Sequence, residues 1–307
     1  MNALTFRPAA DADLDACGQI WRAALNDYLP RVGQPEMPAE LGALRRLHAH
    51  LLATDPERFW VAERRGRIVA FTAAVERGRV WFLSMLFVEP AEQRAGVGRA
   101  LLARTMPQPS DGRVLAVGSD SAQPISNGLY AALGMLPRMP VWLVVGRPRD
   151  GWLPTALPSG VWVEPLARDA DGGATPELQD ELDTLDREVI GMTRPQDHAY
   201  LRREGRLGFT YRDGRGGLLG YGYAAPSGRI SPIAVRDAAL LAPVTGHLLT
   251  ALEPPGASAI WTPGGSDGAM STLLDAGLRL EGFPVLFGWT RPFADFTRFL
   301  PISPGLL

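Results

Sequence analysis

The chain has 307 residues, a formal net charge of −2, and 46% hydrophobic and 21% charged residues. Its length fits two domains of about 150 residues, and its near-neutral charge gives no reason to expect nucleic-acid or membrane binding. The single cysteine, Cys17, excludes an internal disulfide and is typical of a reducing compartment. No apolar run reaches the ~18 residues of a membrane span, and residues 1–7 lack a signal-peptide pattern, so we expect a cytoplasmic protein.

The first half of the sequence predicts a mixed α/β domain, because some of its segments have apolar residues at helical spacing and others have them at strand spacing. In chain order the predicted elements are a strand over 4–7, a helix from Asp11 or Asp13, helix 39–53, strands 59–63, 68–76 and 80–88, helix 99–106, strand 113–119, helix 126–135 and an extended segment over 141–145. Arg-Gly turns at 65–66 and 77–78 and a Pro-rich break over 30–38 separate several of these elements.

The same order restarts after a Pro- and Gly-rich linker over 149–160. The predicted elements are strand 161–164, helices 177–189 and 197–204, strands 208–212, 218–223 and 230–235, helix 238–252, strand 257–261, helix 267–276 and strand 285–289. Residues 88–103 align without a gap on 235–250, which indicates a duplication. We therefore predict two copies of one fold, in domains 1–148 and 161–307. A chance likeness of two α/β halves is the alternative.

The most informative stretch is the run 93–100, which follows an apolar strand and begins a helix. A strand-to-helix turn with glycines at 96 and 98 lets backbone N–H groups converge on an anion, and the helix adds its positive dipole end. A Cβ at either glycine would hold the backbone away from a ligand or forbid a positive φ. The turn therefore predicts a phosphate site. A Gly-rich turn without a ligand is the alternative interpretation.

A second motif lies downstream, on the predicted helix over 126–135. Combined with the glycine turn it resembles the GNAT superfamily of N-acetyltransferases, whose signature is Gln/Arg-x-x-Gly-x-Gly/Ala followed by Asn-x-x-Tyr-x-x-x-Gly. The matching residues are Gln93, Gly96, Gly98, Asn127, Tyr130 and Gly134. The resemblance covers about residues 1–148. It implies an α/β fold of two tandem GNAT-like domains, each a mixed, mostly antiparallel central sheet flanked by helices.

The resemblance also implies which residues bind acetyl-CoA and which catalyse. In this family the strands splay near Phe87 and Val88, often with a bulge, so that backbone groups pair with pantetheine. Tyr130 is placed as the general acid that protonates the departing thiolate, with a packing role as the alternative. The implied cofactor-binding residues are Leu86, Phe87, Val88, Gln93, Arg94, Ala95, Gly96, Val97, Gly98, Arg99, Ala100, Asn127 and Tyr130. No metal is implied.

The general base is less well defined by the sequence. Glu89, directly after strand 80–88, is our candidate, with Glu76 and the pair His48 and His50 as further candidates that spacing does not distinguish. The two histidines lie two positions apart and face different sides of their helix. We therefore expect at most one to point into a site, and we predict solvated surface positions for both.

The second copy lacks the residues that the cofactor site needs. Pro243 and Thr245 align with the two glycines, and Leu273 or Leu274 aligns with the tyrosine. Proline has no N–H to offer a phosphate, so we predict a degenerate second domain that shapes the acceptor pocket or a homodimer. The acidic helix over 177–188 is interpreted as a solvated face; were it to line a cleft, it would favour a cationic acceptor.

Three functions compete on this sequence. The leading hypothesis is an acetyl-CoA-dependent N-acetyltransferase acting on a small-molecule or peptide amine. A non-catalytic acyl-CoA-binding or regulatory module would keep the glycine turn and lack a working base. An acyltransferase of the mycothiol-synthase kind is also tandem, but its catalytic copy is commonly the second, and Pro243 argues against that arrangement.

Overall fold

The computed structural model describes residues 4–108, 111–166 and 174–307. The chain divides into two compact units. The first runs to Gly118 and includes Ala122–Leu136, and the second comprises Ser119–Ser121 and Pro137–Leu307. Within the described ranges, no helix combines the length and the apolar character that crossing a membrane would require.

The first unit is a sheet with two helices before its central strands and two after them. Its elements are β1 (Thr5–Pro8), α1 (Leu14–Asn26), α2 (Gly42–Thr54), β2 (Phe59–Arg64), β3 (Arg67–Arg77), β4 (Val80–Val88), α3 (Val97–Thr105), β5 (Val114–Asp120) and α4 (Pro124–Ala131). The strands follow the order β1-β2-β3-β4-β5. All pairs are antiparallel except the parallel pair β4 and β5, which confirms the predicted mixed sheet.

Helix α3 is fixed to this sheet by apolar residues at helical spacing. Val97 and Leu101 are buried with residues of β2 and β3, and Leu102 is buried with residues of β4 and β5. Burial of each such side chain contributes about 1.5–3 kcal/mol. The turn that precedes α3 is therefore held at the end of β4 by a well-packed helix.

The second unit repeats the order of elements. They are β6 (Leu136–Gly146), β7 (Trp162–Pro165), α5 (Pro176–Ile190), α6 (Pro195–Arg203), β8 (Leu207–Arg212), β9 (Leu218–Ala224), β10 (Ile230–Val235), α7 (Leu241–Thr250), β11 (Ser258–Pro263), α8 (Asp267–Asp275), β12 (Arg279–Trp289) and β13 (Phe299–Leu300). One sheet has the order β13-β10-β9-β8-β7 with antiparallel pairs. Strand β6 pairs antiparallel with β11 and has β12 on its other side.

The structure departs from the sequence-based elements in three places. Strands β6 and β12 begin at Leu136 and Arg279, earlier than predicted, because their first residues are exposed and lack a strand-like apolar pattern. Strand β13 was not predicted, since two residues carry no periodic signal. The first compact unit ends at Leu136, before residue 148, because β6 pairs with β11 and belongs to the second unit.

Candidate active site

The outer edge of β4 is open where the resemblance places the cofactor. The parallel pairing of β4 with β5 covers only Val80–Leu83 and Val114–Val117. The register of β4 against β3 shifts at this point, so that Ser84 forms a bulge between Leu83 and Met85. A bulge bends the strand and increases its twist. Beyond it, no described strand pairs with β4 on the β5 side, so residues 85–88 form no backbone ladder along that edge.

The glycine turn follows directly after this open edge. Gly96 has φ +78°, which a glycine adopts without strain, and it is the residue that precedes α3. The first backbone hydrogen bond of the helix runs from the Ala100 amide to the Gly96 carbonyl at 3.0 Å. In the described part of the chain, the amides of residues 96–99 have no backbone acceptor. The turn is exposed, so these amides can reach a ligand, as a helix N-terminus that binds phosphate requires.

The backbone conformation requires a glycine at position 96 but not at position 98. Gly98 lies within α3 and has no positive φ. A Cβ there would meet only Val88 Cγ2 at 3.5 Å and Leu86 Cδ2 at 3.9 Å, which are ordinary contacts. The fold therefore does not require a glycine at 98, and the approach of a ligand remains the reason that we predict for it.

Gln93 and Glu89 hold the end of β4. The Gln93 side-chain amide donates to the Val88 carbonyl at 3.1 Å. The Glu89 carboxylate accepts from both terminal nitrogens of Arg67, at 2.6 and 2.8 Å. Such a bidentate pair neutralises the carboxylate. Arg94 and Arg99 are exposed and form no ion pair among the described residues.

Tyr130 lies on α4 in a cluster with Trp81, Leu83 and Leu102. Burial raises the pKa of its hydroxyl above the usual value, so that it stays protonated at neutral pH. Among the described residues no group hydrogen bonds to this hydroxyl. Asn127 donates through its side chain to the Gln123 carbonyl at 3.0 Å, which stabilises the start of α4.

The other candidate bases are engaged or buried. Glu76 accepts from Arg58 and Arg113. His48 is fully buried, with its ring edge-on to Phe71 at 5.2 Å between centroids. Burial lowers the pKa of His48 to about 4, against a smaller opposing influence of the Leu14 backbone.

The prediction of solvated positions for His48 and His50 was wrong. Their exposed fractions are 0% and 4%. Helix α2 packs against α1 as well as against β3, so opposite sides of its middle turn are both covered. The sequence around the two histidines does not indicate that both are buried, because the residues that cover them come from distant parts of the chain.

In the second unit, a helix replaces the glycine turn. Pro243 and Thr245 are buried within α7, and the preceding 3-10 turn is capped by the Asp237 carboxylate, which accepts from the Ala239 amide at 2.9 Å. No described residue from 236 to 250 has a positive φ. Of the two leucines that can align with the tyrosine, Leu273 is buried in the core and Leu274 is 46% exposed.

One acidic residue of helix α5 is not solvated, contrary to the interpretation of that helix. Asp186 is completely buried, and one of its carboxylate oxygens lies 3.0 Å from Arg194 Nε and 3.0 Å from His198 Nε2. Tyr221 donates to the other oxygen. The opposite ring nitrogen of His198 lies 2.8 Å from the Tyr223 hydroxyl. Sequence reasoning missed this cluster, because its members lie on α5, α6 and β9.

The comparisons with known proteins agree with this geometry. Residues 55–134 match the family model of the acetyltransferase (GNAT) domain. The fold is similar to that of a candidate acetyltransferase from Pyrococcus horikoshii, with 14% identity, a TM-score of 0.72, and 97% of this chain and 94% of that chain covered. It is also similar to that of a GCN5-related N-acetyltransferase from Sphaerobacter thermophilus, with 15% identity, a TM-score of 0.59, and 96% of this chain and 98% of that chain covered. No curated protein matches the sequence.

A third structure bears on the domain organisation. It is a tandem GNAT protein from the clavulanic acid biosynthesis pathway, 17% identical, with a TM-score of 0.54 over 94% of this chain and 98% of that chain. The family resemblance therefore lies in the first half of the chain, at residues 55–134. Over almost its full length, the chain has the fold of tandem GNAT proteins.

Proposed function

We propose that the protein is an acetyl-CoA-dependent N-acetyltransferase whose first unit binds the co-substrate and acetylates a primary amine of a small molecule. The observation that carries the proposal is the open edge of β4 beside a turn with free amides. An extended amide-containing arm fits the open edge, and a diphosphate fits the amides of the turn. The second unit, which lacks this turn, takes a supporting role at the acceptor pocket or in a homodimer.

The residues of the first unit have separate roles in this proposal. Acetyl-CoA supplies a thioester, so that the amine forms the new C–N bond while the C–S bond breaks and the thiolate leaves. The backbone of Leu86, Phe87 and Val88 binds the pantetheine arm. Tyr130, whose hydroxyl holds its proton at neutral pH, donates that proton to the departing thiolate. Glu89 accepts the proton that the amine loses.

Gly98→Ala tests the turn without disturbing the fold. The new methyl group meets only ordinary contacts, and alanine favours a helix by up to about 1 kcal/mol over glycine. We expect an unchanged or raised Tm, together with a Kd for CoA that rises by at least about tenfold, or ~1.4 kcal/mol, in calorimetry.

Gly268→Ala is the matched control for this variant. Gly268 also lies in a helix, α8, and a Cβ there would meet Ala242 at 3.5 Å, the same distance as the nearest contact at 98. Its affinity for CoA should equal that of the parent. If Gly98→Ala binds one equivalent of CoA as tightly as the parent, CoA binds elsewhere and the proposed site is wrong.

A non-catalytic acyl-CoA-binding module is the second candidate, because Glu89 is paired with Arg67. Glu89→Gln and Arg67→Gln separate the two functions. If Glu89 is the base, Glu89→Gln lowers kcat by ~10² with CoA affinity unchanged, while Arg67→Gln retains most of the activity. Equal, small effects of both variants on acetylation of an amine panel would assign Glu89 a structural role. No acetylation by the parent protein, despite CoA binding, would favour the module.

A further inference from the structure

The segment 298–307 lies in the second unit where the first unit has its open edge. Strand β13 pairs with β10 on the side opposite β9, with Leu300 beside Ile233 and Phe299 beside Ala234. Strand β10 is the counterpart of β4, since Val235 aligns with Val88. The residues that pair with β13 therefore correspond to Leu86 and Phe87.

The surrounding strands are arranged similarly in both units. Strand β10 has a register shift against β9 between Ile230 and Ile233, at the place of the Ser84 bulge. Beside β10, β11 forms one parallel bridge, between Arg229 and Ala259. Strand β11 also contacts β13. The second unit thus contains a wedge between β10 and β11, and the segment 298–307 fills it.

The segment is bound as a ligand would be, through backbone groups and apolar pockets. The Val235 amide donates to the Arg298 carbonyl at 3.0 Å, and the Ser231 hydroxyl donates to the Ile302 carbonyl at 3.0 Å. Phe299 and Leu300 are fully buried. The remaining apolar side chains of the segment are nearly so: Ile302, Leu306 and Leu307.

The buried polar cluster holds the far end of the segment. Arg194 donates to the Leu307 carbonyl and lies 5.0 Å above the Phe299 ring. The same guanidinium is paired with Asp186, and both side chains are 0–1% exposed. A buried charge pair tolerates little displacement, because separation leaves an uncompensated charge. Arg194 is therefore a positioning residue for the segment.

We propose that residues 298–307 are a built-in strand ligand of the second unit, seated in the wedge that receives the pantetheine arm in the first unit and positioned by Arg194. The comparison with pantetheine rests on the proposed function, whereas the binding of the segment does not. It follows that the second unit cannot take an extended ligand in this wedge unless the segment leaves.

Cleavage of the folded protein tests the proposal. A protease recognition sequence is inserted after Arg291, in an exposed stretch between β12 and β13, and the intact protein is cut. We expect the released fragment to co-elute with the body in gel filtration and to exchange slowly with a labelled synthetic peptide of residues 295–307. Hydrogen exchange should keep the amides of Ile233–Val235 protected before and after the cut.

Two variants make the result specific. A peptide carrying Leu300→Asp should compete at least ~30-fold less well, since it loses the buried side chain. Arg194→Met in the cut protein should weaken retention of the fragment at least ~10-fold, whereas Arg203→Met, on the exposed end of α6, should not. A body that unfolds without the fragment and refolds when the peptide is added also supports the proposal.

Three outcomes would overturn it: loss of the fragment with an unchanged Tm, equal competition by the Leu300→Asp peptide, or a body that the peptide does not restore. CoA stoichiometry is measured separately by calorimetry on the uncut protein. If CoA fails to bind, the proposed function fails, and the peptide measurements still decide the role of the segment.

Discussion

The two units place different occupants along the same strand. In the first unit no strand of the described residues pairs with β4 beyond Leu83 on the β5 side, whereas in the second unit β10 is paired with β13. The segment that follows the strand also differs between the units. In the first unit it is an exposed loop with free amides, and in the second it is a capped helix that contains Pro243. The second unit thus lacks the proposed phosphate cradle and has a filled wedge. Two units with the same order of elements can therefore differ in whether this wedge holds part of the chain.

A second contrast lies behind the wedge, at equivalent histidines. Phe71 pairs with Phe87 in β4, and Tyr221 pairs with Ala234 in β10, so these two rings occupy the same position in their units. His48 contacts the first ring, and His198 contacts the second at 5.0 Å. His198 forms hydrogen bonds with Asp186 and Tyr223. Both ring nitrogens of His48 lack a hydrogen-bond partner in the described chain, so the first unit has an apolar contact where the second has a polar cluster.

The largest effect is expected at the buried pair of the second unit. Arg194→Met leaves the Asp186 carboxylate buried without its main counter-charge. Breaking such a pair typically costs 3–5 kcal/mol, so we expect the free energy of unfolding to fall by about that amount. Urea denaturation measures it. Arg203→Met, exposed on the same helix, should stay within about 0.5 kcal/mol of the parent. Similar values for the two variants would remove the anchoring role of Arg194.

The pH dependence of stability should report the burial of His48. The pKa of His48 is about 4 in the folded state and 6.5 ordinarily. Between these values the unfolded state binds the proton and the folded state does not. The neutral His48 ring therefore contributes to the free energy of unfolding above pH 6.5, and this contribution is lost as the pH falls toward 4. The loss amounts to ~3 kcal/mol.

His48→Leu removes this dependence. At neutral pH the variant should match the parent or exceed it, since no hydrogen bond is lost. From about pH 7.5 to pH 4 its stability relative to the parent should rise by ~3 kcal/mol in denaturant titrations. Taking the difference between the two proteins cancels the other titrating groups. A difference that stays constant over this range would show that His48 is not buried in the neutral form.

The sequence was sufficient for what depends on local patterns. Apolar periodicity predicted the order of elements, and Gly96 marked the turn because a positive φ needs glycine. It was insufficient where distant segments meet. The burial of His48 depends on α1 and β3, and the charge pair of Asp186 depends on α6. Strand β13 exists only because β10 offers an edge, so two residues alone could not predict it.

The smallest expected effect concerns Tyr130, and it addresses the contrast most directly, because the aligned position in the second unit holds an apolar leucine, Leu273 or Leu274. Tyr130→Phe keeps the ring among Trp81 and Leu102 and removes only a hydroxyl that no described group hydrogen bonds. Stability and CoA affinity should therefore be unchanged. If the hydroxyl protonates the thiolate, kcat for amine acetylation should fall by about 10² or less. An unchanged kcat would make Tyr130 a packing residue like Leu273, and the first unit would then need another acid.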